Sequence, residues 1–420
     1  MSAPLRRLVA VLVVLLLVAG VALLTLRGMG LDVAMGPFAS ASPTSTASPT
    51  PLPAASREPQ AVFSEIEEQV RAQRLLPTPD IGPAEVIGRD ELAAELRAIF
   101  DADYPPARRE ADNIALRALG LLGEGQDFAE LQLELLTDQV IGFYDQDRRR
   151  MVVVTDAGVD AQARMTYAHE YTHALQDGAF GIDALGTDTL GEDDRNLAHL
   201  SLIEGDASLV MVLWAIEHDP AGLGEVASGP VPDMGSIPDW MVAQLSFPYT
   251  AGANFVASLY QSGGFDAVDA AYADPPDSTE QILHQDKYVS GEAPVAVAET
   301  DVAAALGDGW TNVPSTTLGE GLIAIWLRHL GADQTDADNA ARGWGGDRAS
   351  AASNADGEVA LVLRLAFDSR TQADEFEAAY ADLVETLPLP GRVTRTGDLE
   401  LSVVQATDAS RLDALTAAAE

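Results

Sequence analysis

Apolar residues recur at helical spacing through the first folded part of the chain. From Phe63 to about Arg74 they return every three to four positions, which predicts a helix. The same period marks Arg89–Phe100, where Leu92, Leu96 and Ile99 share a face, then about Glu110–Leu122 and about Phe128–Thr137. The texture then changes. Val140–Tyr144 and Met151–Thr155 are β-rich runs on either side of the polar turn Asp145-Gln146-Asp147-Arg148, and they predict a hairpin. Helical spacing resumes over about Asp160–Gln176. A loop rich in Gly and Asp, Gly181–Asp193, separates it from a long helix predicted over about Asp194–Glu217. Helical segments alternate with Gly/Pro loops from Pro238 to Tyr272. Beyond about Gly291 the pattern predicts a helix near Leu318–Leu330, a strand near Glu358–Phe367 and a helix near Thr371–Leu387. Strands near Arg392–Arg395 and Leu399–Gln405 follow. Arg342–Arg348, which holds Gly343, Trp344, Gly345, Gly346 and Asp347, reads as a structural turn. It lacks the Lys-Ser/Thr ending of a phosphate loop.

These elements predict an α+β protein. Residues 61–290 form a mainly helical domain with a β-hairpin or small sheet before one central helix. Residues 291–420 form a small α/β unit packed on it. The N-terminal 60 residues read differently. Leu8–Leu26 is an apolar run of about 28 Å as a helix, close to the hydrocarbon thickness of a bilayer. Residues 1–30 therefore read as a signal anchor, with a cleaved signal peptide as the alternative. Arg6 and Arg7 precede the run and outweigh Arg27, so the remainder is expected outside the cytoplasm. Residues 31–60, with the tract ASASPTSTASPTPLPAASREPQ from Ala39, form a tether too polar and Pro-rich to bury a core.

Charge narrows the partners. The 420 residues carry 65 Asp and Glu against 25 Lys and Arg, a formal net charge of −40. Such a surface repels nucleic acid, so DNA and RNA are set aside as partners. Lys287 is the only lysine. Cysteine is absent, which removes disulfides, thiolate metal sites and thiol nucleophiles together.

The specific chemical signal is His169-Glu170-Tyr171-Thr172-His173. On a helix, positions i and i+4 project from one face, so both imidazoles reach one ion. Glu170 beside them suits a general base acting on water. Zn2+ needs a third protein ligand. Glu204 is the best choice, because it interrupts the apolar stripe Leu197, Leu200, Ala207 and Met211 of the long helix. A carboxylate there is costly unless paired or metal-bound, a buried Arg being the bland alternative. Gly205 beside it suggests close approach of another element. Asp177 lies about 12 Å from His169 along a straight helix, too far to share its metal. It reads either as a hydrogen-bond acceptor behind His173 or as a helix end. Asp206 and His199 face away from Glu204 on helix geometry.

Taken together, His169-Glu170-x-x-His173 and a downstream Glu on a second helix resemble the gluzincin branch of zincin metallopeptidases, over roughly residues 140–215. Ala168–Asp177, Glu204-Gly205-Asp206-Ala207 and Ser278–His284 are also similar to uncharacterised bacterial exported proteins of zincin type. The resemblance implies zinc on His169, His173 and Glu204, water activation by Glu170, and peptide or protein substrates. Thermolysin-like members place an Asp four residues past the ligand Glu, where this chain has Ser208. A zincin transition state also gains from a donor to its oxyanion. His284 is the candidate carried forward, with Tyr249 and Tyr288 beside it and a purely structural His284 as the alternative. Val140–Tyr144 or Met151–Thr155 can offer a strand edge to an extended peptide. Two further readings stand: a non-catalytic surface protein with structural zinc, and a zinc hydrolase of a non-peptide amide.

Overall fold

The computed structural model describes residues 58–154, 158–229 and 234–420. The predicted anchor and nearly all of the tether lie outside the described residues. The chain is α+β, mostly helical, with two separate sheets.

Helix α1 (Pro59–Arg74) is followed by a short strand, β1 (Glu85–Ile87). Three helices come next: α2 (Arg89–Asp103), α3 (Pro106–Ala118) and α4 (Phe128–Gln139). Strands β2 (Gly142–Asp145) and β3 (Arg150–Val154) make the predicted hairpin. The motif helix is α5 (Ala161–Phe180), and the long helix is α6 (Asp193–His218). Then come α7 (Pro220–Ala227), α8 (Asp239–Phe247), a π-helical turn (Pro248–Gly252) and α9 (Ala253–Ala273), which is broken at Gly263–Gly264. Short helices α10 (Thr279–Leu283), α11 (Gln285–Ser290) and α12 (Val302–Leu306) lead to β4 (Trp310–Asn312). The last part runs α13 (Gly319–Leu330), α14 (Gln334–Ala341), β5 (Trp344–Asn354), β6 (Val359–Phe367), α15 (Arg370–Leu383), β7 (Gly391–Arg395), β8 (Glu400–Ala406) and α16 (Leu412–Ala419).

Local chemistry explains the ends of α5. The Asp160 side chain accepts from the Ala163 amide at 2.8 Å, and Gly181 closes the helix in the left-handed region at φ 63°. Helix α6 is apolar on nearly every face and buried for most of its length, so it forms the centre of the molecule rather than an amphipathic wall. By length and composition it is long and apolar enough to cross a membrane, but its apolar surface is spent on packing inside the protein.

The first sheet has the order β1-β3-β2, with β1 parallel and β2 antiparallel to β3. Strand β3 is therefore central. Of the two segments expected to offer an open edge, only β2 does so, because β1 pairs along the other side of β3 at Val152–Val154.

The second sheet has the order β4-β5-β6-β8-β7 and is antiparallel throughout. Alternation sorts its residues. Leu361, Leu363 and Leu365 enter one core with Trp326, Phe376 and Tyr380, while Ala360 and Val362 enter another with Leu412 and Leu415. Ile114, Ala118 and Leu119, at the end of α3, complete the first of these cores, and Trp326 Nε1 donates to the Leu119 carbonyl at 2.8 Å. The sheet's core thus draws on residues far before 291. Arg342–Arg348 needs correction: a turn occurs at Gly343, φ 72°, and Trp344 then opens the eleven-residue strand β5, with a bulge between Trp344 and Gly346.

Candidate metal centre

Helices α5 and α6 pack together and bring three predicted ligands to one point. His169 Nε2 lies 3.0 Å from Glu204 Oε2 and 3.0 Å from His173 Nε2, and His173 Nε2 lies 3.4 Å from the same Glu204 oxygen. A tetrahedral ion with bonds of about 2.05 Å has ligand-to-ligand edges of about 3.3 Å. A donor set of two imidazoles and one carboxylate at this spacing could therefore hold a metal ion. All three side chains are buried. Glu170 joins them: donor atoms of His169, Glu170 and His173 lie within 4.8 Å of one another.

Glu170 is held from the sheet. Its Oε2 accepts from the Tyr144 backbone amide at 3.0 Å, so the outward-facing N–H of β2 aims the carboxylate, while Oε1 has no partner among the described residues. Burial pushes the Glu170 carboxyl up to about 8. Burial pushes the His169 imidazole down. It acts the same way on His173, but the Glu204 carboxylate outweighs it and raises that ring to about 9. Glu204 is held below its ordinary range: burial opposes this, and the two imidazoles prevail.

Close backbone packing places a further side chain. A Cβ on Gly205 would collide with the Gly252 carbonyl, and a Cβ on Gly252 with the Ser201 carbonyl. Helix α6 and the π-helical turn therefore meet backbone to backbone, as Gly205 suggested. The turn carries Tyr249, which is buried with its ring centroid 6.0 Å from that of His169. Burial raises its phenol well above the ordinary value, and the nearby Glu204 and Glu170 carboxylates add to this.

Other predicted residues lie elsewhere. His284 Nε2 meets Glu320 Oε1 at 2.8 Å, and Tyr288 donates to the Asp274 carbonyl at 2.9 Å. Of the three oxyanion-donor candidates, Tyr249 is the one in contact with the cluster. Near His284, Lys287 pairs with Glu280 at 2.6 Å, with Glu292 at 2.8 Å and with Asp368. Of the two readings of Asp177, the helix end holds, since its carbonyl accepts from the Gly181 amide at 2.9 Å and its side chain from the Tyr144 hydroxyl at 3.0 Å, whereas the acceptor on His173 Nδ1 is Gln176 Oε1 at 2.8 Å. Gln176 lies three positions past His173, which puts both on one helix face. His199 turns away to the Gly186 carbonyl at 3.2 Å. The buried Arg weighed as a partner for Glu204 exists, but it serves Asp206: Arg74 Nε lies 2.9 Å from Asp206 Oδ1, with both side chains fully buried.

An apolar cavity lined by Leu119, Phe128, Trp240 and Trp326 opens between α3, α4, α8 and α13, and no residue of the cluster lines it.

No curated protein and no solved structure matches this chain. A family model described as a domain of unknown function (DUF8575) matches residues 305–416, the stretch that holds the five-stranded sheet and not the His/Glu cluster.

Proposed function

We propose that this chain is a gluzincin-like zinc metallopeptidase that hydrolyses peptide bonds outside the cytoplasm, held at the membrane by its N-terminal apolar run. The observation that carries the reading is the convergence of His169 Nε2, His173 Nε2 and Glu204 Oε2 within 3.4 Å, with Glu170 beside them. His169, His173 and Glu204 would hold the metal. Zinc, when bound, acidifies water and polarises a carbonyl. Glu170 takes the proton of the attacking water and returns it to the leaving nitrogen. Its unpartnered Oε1 is the basic atom, since Oε2 is engaged by Tyr144. Tyr249 donates to the oxyanion.

The purified full-length protein is expected to hold one equivalent of zinc, to lose it on Glu204→Ala, and to cleave members of a peptide library in a chelator-sensitive way. Glu170→Gln is expected to keep the zinc and abolish cleavage. Activity retained in Glu170→Gln would refute the mechanism, and unchanged zinc in Glu204→Ala would move the third ligand. Protease accessibility in sealed spheroplasts reads the side of the membrane, and protection of the folded part would overturn the placement.

Burial of all four side chains favours a second reading, a closed structural zinc site in a non-catalytic protein. Glu170 argues against it, because a structural site needs no general base. Zinc retained with no cleavage of any peptide by the wild type would favour it. Cleavage of amides but not of peptides would favour a non-peptide amidohydrolase.

A further inference from the structure

The two imidazoles of the cluster are not held alike. His169 Nδ1 has no partner among the described residues, whereas His173 Nδ1 faces Gln176 Oε1 at 2.8 Å. The orientation of the Gln176 amide is fixed by its other end. Its Nε2 meets two groups that can only accept, the Ile203 carbonyl at 3.0 Å and Asp206 Oδ2 at 3.0 Å. The NH2 group must lie there, so the oxygen must face His173. An amide oxygen accepts and cannot donate, so His173 Nδ1 carries a hydrogen.

Asp206 is fixed in turn. Arg74 donates from Nε to Oδ1 at 2.9 Å and from Nη2 to Oδ2 at 3.0 Å, and the Tyr272 hydroxyl donates to Oδ2 at 2.9 Å. Arg74 Nη2 also reaches Asp269 at 2.6 Å. The guanidinium and the Tyr272 hydroxyl both donate to this carboxylate, and the Ile203 carbonyl, which can only accept, removes the alternative amide orientation by itself.

We infer that Gln176 and Asp206 are positioning residues: a relay from Arg74 through Asp206 and Gln176 fixes a hydrogen on His173 Nδ1 and so assigns Nε2, which faces Glu204, as the nitrogen that can bind a metal. Its purpose, presetting one ligand lone pair, rests on the metal-centre reading; its geometry does not. The relay joins four elements, α1, α5, α6 and α9, at one ring. A metal ligand is commonly oriented through its second ring nitrogen, and losing such a partner costs about 10–100-fold in metal affinity.

The test reads the tautomer without metal. Long-range proton–nitrogen spectra are recorded on the histidine-labelled, chelator-treated full-length chain across a pH series, and the tautomer is read from the singly protonated form of the His173 ring. The His173 signals are assigned by their loss in His173→Ala. The expected result is hydrogen on Nδ1. Hydrogen on Nε2 in the wild type overturns the inference and requires no variant to fold. Gln176→Met is expected to give mixed tautomers and about 10–100-fold weaker zinc binding in chelator competition. Asp206→Asn, which loosens the hold on the amide, is expected to move both readouts the same way. Variants that keep a pure Nδ1–H ring and wild-type zinc affinity overturn the relay. A chain that takes up no zinc counts against the metal-centre reading alone, because the tautomer is read in its absence.

Discussion

Gly205 and Gly252 touch through their backbones, and this contact sets the distance between the helix that carries Glu204 and the turn that carries Tyr249. Neither glycine uses its conformational freedom here; what matters is the missing side chain. Gly205→Ala is expected to cost about 1–3 kcal/mol of stability, because the obstruction is carbonyl backbone that cannot rotate away. Urea denaturation measures it, and an unchanged midpoint would show that the crossing can widen freely.

Tyr249→Phe removes one hydroxyl and little volume. If the phenol stabilises the oxyanion, kcat falls by about 100-fold while zinc content and KM stay near wild type. A variant with full kcat would leave Tyr249 as packing against His169.

A buried acidic set links α6 to the C-terminal part. Asp194 accepts from the Thr279 amide at 2.9 Å and from its hydroxyl at 2.5 Å, and Asp347 accepts from the Gly319 amide at 2.9 Å. Burial pushes Asp194 up to about 8, Glu280 to about 7 and Asp347 to about 6. An acid with a raised folded value binds its proton more tightly when folded. Its contribution is therefore full below the ordinary value, 3.8 for Asp194, and declines as pH rises to about 8. Thermal midpoints measured between about pH 5 and 8 are expected to fall, and Asp194→Asn to flatten that fall. An equally steep profile in the variant would assign the slope to other groups.

Val153 sits in the central strand, paired with Gly142 on one side and Val86 on the other. Proline there is expected to destabilise the whole sheet by about 3 kcal/mol or more, so it cannot probe peptide docking selectively. Circular dichroism of Val153→Pro checks this; a native spectrum and melting point would contradict the assigned register.

Arg74→Met strands Asp206 without its buried counter-charge. The expected loss is about 3–5 kcal/mol, read by chemical denaturation. A loss below about 1 kcal/mol would mean that Tyr272 and Gln176 suffice.

Much of this architecture is written in periodicity. The helices ending at Arg74 and beginning at Arg89 and Phe128, the hairpin, and both helices of the centre are legible because each keeps one period and ends on turn or cap residues. Strand β5 is not legible: Trp344–Asn354 reads WGGDRASAASN, and its buried faces are filled by Gly, Ala and Ser, which carry neither β-propensity nor hydrophobic contrast. Strand β1 is three residues long, too short for any period to register. At the centre, His169, Glu170, His173 and Glu204 stand out by spacing alone. Gln176 does not, since a neutral amide on a helix carries no charge signal, although its place one turn past His173 was visible. Asp206 faces away from the His/Glu cluster, as helix geometry predicts, but what it turns toward, Arg74, lies 132 residues away in sequence and only tertiary packing joins them.

The ion-paired Lys287 has a practical meaning for chemistry done on this protein. It offers the sole side-chain amine in 420 residues, and three carboxylates hold it where α11 meets the segment leading into α15. Apart from the chain terminus, an amine-directed reagent therefore has one address. Slow acylation reports that this joint is closed, and faster acylation reports that it has opened, so ordinary labelling serves as a gauge of a single contact.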